Sequence, residues 1–493
     1  MRKYIDYNEY LNMRKNIFSR YKIYKNNKQF LKENISKELI FNNIKLDNKQ
    51  KEAIYTDEIN TLVLSGAGSG KTLTIASKID YLIKNGIKKE EILILSFTNA
   101  SVEDLKKKIN YSLDIYTFHK LALEIISDYK KNYSIISDYL EYIIREIFLS
   151  ICFDIDEKNL NFFVKEISSF INLFKTYNYD NNYFHKLLKR NKSLLLKVIE
   201  KIYYIYEDEL YSQGLIDFND MISLSINLIN KYGLKRYYKY IIIDEFQDIS
   251  LLRYKLIKLI KESCNSKLFC VGDDYQSIYK FSGSNIYMII NFKKYFGYTK
   301  IIKINNTYRN SYELILVASK FINKNYHQIN KKLFSTKHIP KPIKIIYYLK
   351  NMNVKFKKLL DMLYGNVLVL GRNNYDIKYV IDEEITYNEV IFYKNRTFEY
   401  KTVHKSKGLE SDNVIVLNMT NSIYGFPNKK SNDLQKLILE KDKYLYEEER
   451  RLFYVALTRT KNNVYLLVDR QNPSIFIKEL LYNSKKYIET LDL

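Results

Sequence analysis

The sequence predicts an α/β protein with parallel sheets covered on both faces and an all-helical insertion in the first half. Three observations predict it. Short β-branched runs recur along the chain, at Thr61–Ser65, Ile92–Ser96, Tyr240–Ile243, Leu268–Val271, Val367–Leu370, Val414–Leu417 and Val464–Val468, with helical patterns between them. The stretch 121–213 instead carries long amphipathic periods such as Tyr139-Leu140, Ile143-Ile144 and Ile147-Phe148. The whole chain of 493 residues holds only 13 Gly and 4 Pro, which leaves little material for flexible linkers. A chain of this length accommodates about three folded units.

Residues 1–45 read as helical and basic, with 11 Lys/Arg against 4 Asp/Glu, interleaved with Tyr and Phe. Two readings follow: a non-specific nucleic-acid arm, or an amphipathic helix packed on the core with solvated lysines. The second is favoured.

The strand pattern Thr61–Ser65 runs into Gly66-Ala67-Gly68-Ser69-Gly70-Lys71-Thr72 and then a helical stretch. Glycines let successive backbone N–H groups point inward around phosphates. The helix N-terminus that follows favours negative charge. In such a loop Lys71 reaches the β- and γ-phosphates and the Thr72 hydroxyl holds Mg²⁺. Ser65 takes the loop's first small position. The cofactors expected are therefore ATP and Mg²⁺. A merely structural glycine turn would not need a strand before it and a helix after it.

The apolar strand Tyr240–Ile243 ends in Asp244-Glu245-Phe246-Gln247-Asp248. At the C-terminal edge of a parallel sheet, Asp244 is placed to bind the metal. Glu245 is placed to polarise an attacking water. A surface acid pair would not need four apolar residues immediately before it.

The glycine loop, the Asp244–Asp248 motif and Val271-Gly-Asp-Asp-Tyr-Gln276-Ser-Ile-Tyr279-Lys-Phe281-Ser-Gly283 resemble the superfamily 1 DNA helicases of the UvrD/Rep type. Further motifs follow in the family's order: Leu46–Gln50, Ser96–Asn99, Thr117–His119, Asn306–Arg309, Thr402–Glu410 and Glu448–Arg459. The branch it most resembles is DNA helicase IV, through Thr117–Ile126, Phe246–Ser250, Tyr279–Gly283 and Asn472–Ile477.

The resemblance implies two RecA-like P-loop NTPase domains with ATP between them. The boundaries expected are 1–45 for the basic extension, 46–120 and 214–292 for domain 1A, 121–213 for a 1B-like helical insertion, and 293–493 for domain 2A. It further implies Gln50 on the adenine edge, Tyr308 stacked on its face, Gln276 sensing the γ-phosphate, and Arg309 and Arg459 as arginine fingers from the second domain. Glu410 is assigned to the ribose. A fixed guanidinium neutralises the charge that phosphoryl transfer spreads over equatorial oxygens.

For DNA, the resemblance assigns base stacking to Phe97, Phe118, Tyr279 and Phe281, and backbone or sugar contacts to Thr98, Asn99, Thr117, His119 and His404. Arg372 is expected on a phosphate. The family also implies 3′→5′ movement on single strands and action at single-strand/duplex junctions. Only residues 310–401 separate Arg309 from Thr402, so the large 2B insertion of UvrD and Rep is expected to be absent or vestigial. A protein partner that regulates unwinding is accordingly expected. A second reading, remodelling of a protein complex, rests on long N-terminal arms in related proteins, and this segment is short.

The net charge of +24 fits a polyanion partner. Lys, Asn, Ile and Tyr all have AT-rich codons, which also supplies lysines. No apolar run of about 18 residues points to a membrane span, and the first residues lack the apolar core of a secretory signal. The three cysteines, Cys152, Cys264 and Cys270, have no metal-like spacing and fit a reducing cytoplasm. No HExxH motif or nucleophile triad is present.

Overall fold

The computed structural model describes residues 3–12, 17–109, 111–130, 133–151, 155–191, 193–381, 390–394, 396–430 and 433–493. Cys152 lies outside them. Among the described residues two large sheets organise the chain.

The first sheet contains β1 (Asn60–Leu64), β2 (Ile92–Ser96), β3 (Ile115–Thr117), β4 (Tyr240–Ile243), β5 (Lys267–Gly272) and β6 (Lys300–Lys303), in the order β6-β1-β5-β4-β2-β3. Every pairing is parallel. β1, β2 and β4 are buried along their whole length, as expected of continuous apolar runs covered on both faces. One face carries the cluster around Phe118, Leu121, Ile241 and Ile257. The other carries the cluster around Ile54, Val63, Ile75 and Ile242.

The second sheet contains β7 (Ile343–Tyr348), β8 (Val367–Gly371), β9 (Val390–Tyr393), β10 (Arg396–Thr402), β11 (Asn413–Met419), β12 (Val464–Asp469) and β13 (Ile488–Leu491). Its order is β9-β10-β8-β11-β12-β7-β13, parallel except for the β9–β10 hairpin at one edge. The stretch 310–401 supplies β7 to β10 and the helices Tyr312–Ile322 and Met352–Met362. Its described residues complete this sheet and form no separate 2B-type unit.

Two expected boundaries shift, the end of the first unit at 292 and the start of the insertion at 121. β6 pairs with β1, so the chain leaves the first sheet after Lys303 rather than after residue 292. The helix Phe118–Asp128 packs into the first sheet's core, through Leu121, Ala122, Ile125 and Ile126, not into the insertion. A short parallel ladder, Ser134-Ile135 against Leu215-Ile216, forms the neck from which the insertion leaves. Beyond that neck, the helices Tyr139–Ile151, Glu157–Thr176, Asn181–Asn191 and Leu194–Gln213 enclose their own core.

That insertion is tied down at two points. Lys175 is nearly sealed from solvent and pairs with Glu207, Asp217 and Asp220 at 2.6–2.8 Å. From the second half of the chain, the turn Gln435–Leu437 brings Ile438 into the insertion's core, and Gln435 Nε2 donates to Ser169 Oγ. Nothing in the linear sequence announces this second tie.

The N-terminal segment is packed rather than free. Tyr4 is buried and donates to Glu58 Oε1 at 2.9 Å, and Tyr7 stacks on Tyr298 at 3.9 Å. Asp6 pairs with Lys267. The helix Ile17–Ile35 lays Phe30, Leu31 and Ile35 on the first core while Tyr21 and Tyr24 face solvent. No helix among the described residues is long and apolar enough to cross a membrane.

Candidate active site and nucleic-acid face

The C-terminal edges of the first sheet's strands deliver the chemistry, as parallel α/β sheets do. β1 runs into the glycine loop and the helix Lys71–Lys84. β4 runs into Asp244-Glu245, and β5 into Asp273–Gln276. Gly68 and Gly70 hold φ of +69° and +77°, a region that other L-residues rarely adopt. A Cβ on Gly68 would meet Arg309 Cβ at 2.5 Å, and one on Gly70 would meet Gln50 Nε2 at 2.8 Å. Glycine is thus required both for the turn and for the approach of the opposite wall.

That wall comes from beyond the first sheet. Tyr308 N donates to Gly68 O at 2.9 Å and Thr307 Oγ1 to Ala67 O at 2.7 Å. Ala67, Tyr275 and Ile278 join the apolar core beneath the second sheet. Between the two halves lies a cavity of about 850 Å³. Gln50, Gly68–Thr72, Asp244, Glu245, Gln276, Tyr308, Arg309, Glu410 and Arg459 all line it. The structure therefore brings together every residue expected to catalyse. Of those expected to hold nucleotide, only Gly66 and Ala67 sit behind the lining.

Inside the cavity, Lys71 Nζ donates to Glu245 Oε1 at 2.8 Å. Burial works against the Lys71 charge, but Glu245, Asp273 and Asp244 outweigh it and hold the ammonium above its ordinary pKa. Glu245 stands in the left-handed region at φ 50°, an uncommon conformation for a non-glycine residue that marks local strain. Burial would raise its carboxyl, yet Lys71 and Lys407 pull it down to about 2. Asp244 moves the other way, up to about 7, through burial first and the charge of Glu245 second. Burial, mutual repulsion and the lysines thus push the two adjacent acids in opposite directions.

From the second half, Arg309 Nε donates to Glu410 Oε2 at 2.8 Å. Glu410 also pairs with Lys461 at 3.2 Å, so its present partners are cations. Arg459 is buried, and its Nη2 donates to Gln276 Oε1 at 3.0 Å. Burial and then Arg309 press its pKa down to about 9, which leaves it charged at neutral pH. Gln50 closes a capping box with Asp47 and donates to Ser69 O at 3.3 Å. Asp47 also accepts from Tyr308 Oη at 2.9 Å, which anchors the tyrosine while its ring stays 59% exposed.

The residues fit a nucleoside triphosphate with its divalent ion. Ser69 Oγ is a buried hydroxyl with no hydrogen-bond partner in the glycine loop. Thr72 and Asp244 line the same cavity as Lys71 and offer oxygen donors of the kind a Mg²⁺ ion takes.

Several contributors escaped sequence reasoning. Lys331 is fully buried, donates to Ser65 O at 3.1 Å and Asp274 Oδ1 at 2.7 Å, and contacts Asp273. It welds the start of the glycine loop to the segment carrying Gln276. Lys407 donates to Gln276 O at 2.8 Å and pairs with Asp248, a cross-cleft tie. Gln247 accepts from Asp273 N at 2.8 Å and donates to Glu245. Motif position hinted at Lys407, but no local signal marks Lys331.

A second surface collects most of the residues expected to touch nucleic acid. Phe97 and Tyr279 are half-buried and Phe281 is 45% exposed. Phe281 lies edge-on to His404 at 5.4 Å, and Tyr279 Oη donates to His404 O at 3.2 Å, so the two halves meet here too. Thr98 and Thr117 cap the helices Asn99–Lys108 and Phe118–Asp128 while Asn99 stays exposed. His119 lies edge-on to Phe218 at 5.3 Å, an exposed ring the sequence did not single out. Burial lowers His119 to about 4 and His404 to about 3, so both rings are neutral near pH 7.

Two of these expectations are corrected. Phe118 is 2% exposed and belongs to the first core, so it cannot offer a face to a base. Arg372 makes a bidentate pair with Glu449, Nη2 to Oε1 at 2.7 Å and Nε to Oε2 at 3.1 Å, which commits that side of its guanidinium to a carboxylate.

The family model for the UvrD/REP helicase N-terminal domain matches residues 46–297, and that for the UvrD-like helicase C-terminal domain matches residues 393–471. The chain is 28% identical to DNA helicase IV of Escherichia coli (strain K12) over 489 residues, covering 89% of this chain and 70% of that relative. It is 30% identical to ATP-dependent DNA helicase Rep of Buchnera aphidicola subsp. Acyrthosiphon pisum, covering 85% and 68%. To a probable DNA helicase of Mycoplasma pneumoniae it is 26% identical, covering 90% and 88%. With both family models matched in order and the glycine loop facing two arginines across one cavity, the chain belongs to the UvrD/Rep-type DNA helicases of superfamily 1A.

Proposed function

We propose that this chain is an ATP-driven translocase on single-stranded DNA that separates duplexes, moving 3′→5′ and acting in the cytoplasm. The observation that carries the reading is one cavity holding Lys71, Glu245 and Gln276 from the first half with Arg309 and Arg459 from the second. Hydrolysis then requires both halves, and movement of one against the other turns chemistry into stepping.

Each side chain has a task. Lys71 exchanges Glu245 for the β- and γ-phosphates, which removes the partner that holds Glu245 acidic. Glu245 thereby becomes a better acceptor for the attacking water's proton. Gln276 and Arg459, already bonded, sit where the γ-phosphate is read. Arg309 leaves Glu410 for the transferring group, a finger worth roughly 10³–10⁵ in rate. Tyr308 offers its exposed ring to the adenine and Gln50 its amide to the base edge. Thr72 and Asp244 would hold Mg²⁺, which supplies charge neutralisation between the phosphates.

The single strand is read along Phe97, Tyr279 and Phe281, with Thr98, Asn99, Thr117, His119 and His404 on its backbone. Stacking on rings tolerates any base, as a stepping enzyme needs. Single-strand/duplex junctions are the substrates proposed. The absence of a 2B-type unit among described residues 310–401 favours a protein partner that regulates strand separation.

The test is unwinding of matched duplexes with either a 3′ or a 5′ single-stranded tail, in ATP. Unwinding of the 3′-tailed duplex alone supports the reading. Unwinding of the 5′-tailed duplex, or identical activity of the Lys71→Ala variant, refutes it.

A further inference from the structure

The sequence offered Arg372 as a phosphate ligand, and the structure pairs that guanidinium with Glu449. A different arginine is left open. Arg253 lies in the first turn of the helix Leu251–Cys264, which Ser250 caps. Its guanidinium carbon stands 5.3 Å from the Phe97 ring centroid and 5.7 Å from that of Phe118. The side chain is half-buried. Among the described residues it makes no side-chain hydrogen bond and no ion pair.

The acid whose charge acts on it is Asp248, and that carboxylate is paired with Lys407 across the cleft. The other group that senses Arg253 is His119, which stays neutral beside it. Burial also presses the guanidinium's own pKa downward. Among the described residues no acceptor answers the guanidinium's five N–H donors, which leaves them to solvent or to an anionic ligand. Phe97 and Phe118, themselves 5.0 Å apart, attract the cation but offer its N–H groups no conventional acceptor.

Phe97 leads into the exposed pair Thr98-Asn99 assigned above to the single strand, so Arg253 lies beside that proposed path. We propose that Arg253 binds a backbone phosphate of the single strand held against Phe97. This inference rests on the DNA path described above. It also gives the strand a contact on the helix that directly follows Asp244–Asp248. A bound phosphate there would sit beside Asp248, itself tied to Lys407 and through it to the Gln276 carbonyl.

The experiment measures binding of oligothymidylate to the full chain as a function of salt, for wild type and Arg253→Gln. Each phosphate neutralised on a single strand contributes about 0.7 to the slope of log affinity against log salt. The expected result is a slope shallower by about 0.7 and affinity about tenfold weaker at low salt. An unchanged slope, with or without weaker binding, overturns the proposal and leaves Arg253 a packing residue. If wild type binds no oligothymidylate at any salt, the DNA path itself fails, and this inference with it.

A second measurement avoids any folding defect in the variant. Wild type is treated with phenylglyoxal with and without oligothymidylate, and modified arginines are mapped by peptide mass. Arg253 is expected to be protected several-fold by the oligonucleotide, while Arg372 reacts equally in both. Equal labelling of Arg253 in both samples overturns the proposal.

Discussion

Arg459 Nη2 donates to Gln276 Oε1 at 3.0 Å, and this bond joins the end of the helix Glu447–Leu457 to the loop that follows β5. The two residues come from opposite sides of the cleft, so the groups proposed to read the γ-phosphate and to act as arginine finger are already joined. Arg459→Lys keeps a charge but cannot hold the same fork. It should lower kcat for ATP by at least roughly 10³ while KM changes only a few-fold, because the lost interaction belongs to the transition state. Steady-state ATP hydrolysis checks this, and a rise in KM alone would speak against the assignment.

Phe281 and Phe118 should separate cleanly. Phe281 is exposed and Phe118 is sealed in the core. Phe281→Ala should weaken single-strand binding by about 1–3 kcal/mol, the worth of one stacked base, with little change in melting temperature. Phe118→Ala should cost about 3–5 kcal/mol of folding stability. Fluorescence anisotropy and denaturant unfolding on the same pair of proteins tell the two roles apart.

Arg372→Ala should act on stability, not on phosphate binding. The change strips both charge-assisted bonds from Glu449, which also accepts from Asn428 N at 2.9 Å. A loss of about 2 kcal/mol is expected from chemical denaturation. The salt slope of oligonucleotide binding should match wild type.

His404 sets a pH signature. Burial, then Arg372 and Lys407, holds its pKa down to about 3, against about 6.5 in an unfolded chain. Between those values the unfolded state binds a proton that the native state refuses, so stability falls as pH drops below about 6.5. His404→Gln lacks that proton. The melting temperature of the variant relative to wild type should therefore rise steadily from pH 6.5 to 4 and stay constant above pH 7. A difference independent of pH would contradict the burial argument.

The interior strands of the first sheet and β8, β11 and β12 of the second were legible because continuous apolar runs are covered on both faces in a parallel sheet. In contrast, β7 and β10, equally interior, alternate with Lys, Glu and Tyr and carried no such signal. β6 was not legible either: Lys300-Ile-Ile-Lys303 is short, charged at both ends and at a sheet edge, where half the strand need not be apolar. Lys71, Thr72, Asp244 and Glu245 were legible because each follows an apolar strand directly, whereas Gln50, Gln276, Tyr308, Arg309, Glu410 and Arg459 were read only from the family resemblance. Phe118 carried a signal that motif position overrode. Phe118, Leu121, Ala122, Ile125 and Ile126 repeat at helical spacing, and all five are buried. Arg253 and Lys331 were illegible for the opposite reason. Their neighbours, Phe97 for one and Asp273 and Ser65 for the other, lie far away in sequence. The same holds for Ile438, whose burial in the helical insertion depends on a contact across the two halves of the chain.

The central claim is that a cleft built from both halves hydrolyses ATP when a single strand closes it. Steady-state ATP hydrolysis with and without single-stranded DNA, at two salt concentrations, tests it most directly. The account predicts strong stimulation by DNA that weakens at the higher salt, as a phosphate-bound single strand requires. Hydrolysis indifferent to DNA at both salts, or no hydrolysis at all, would contradict it.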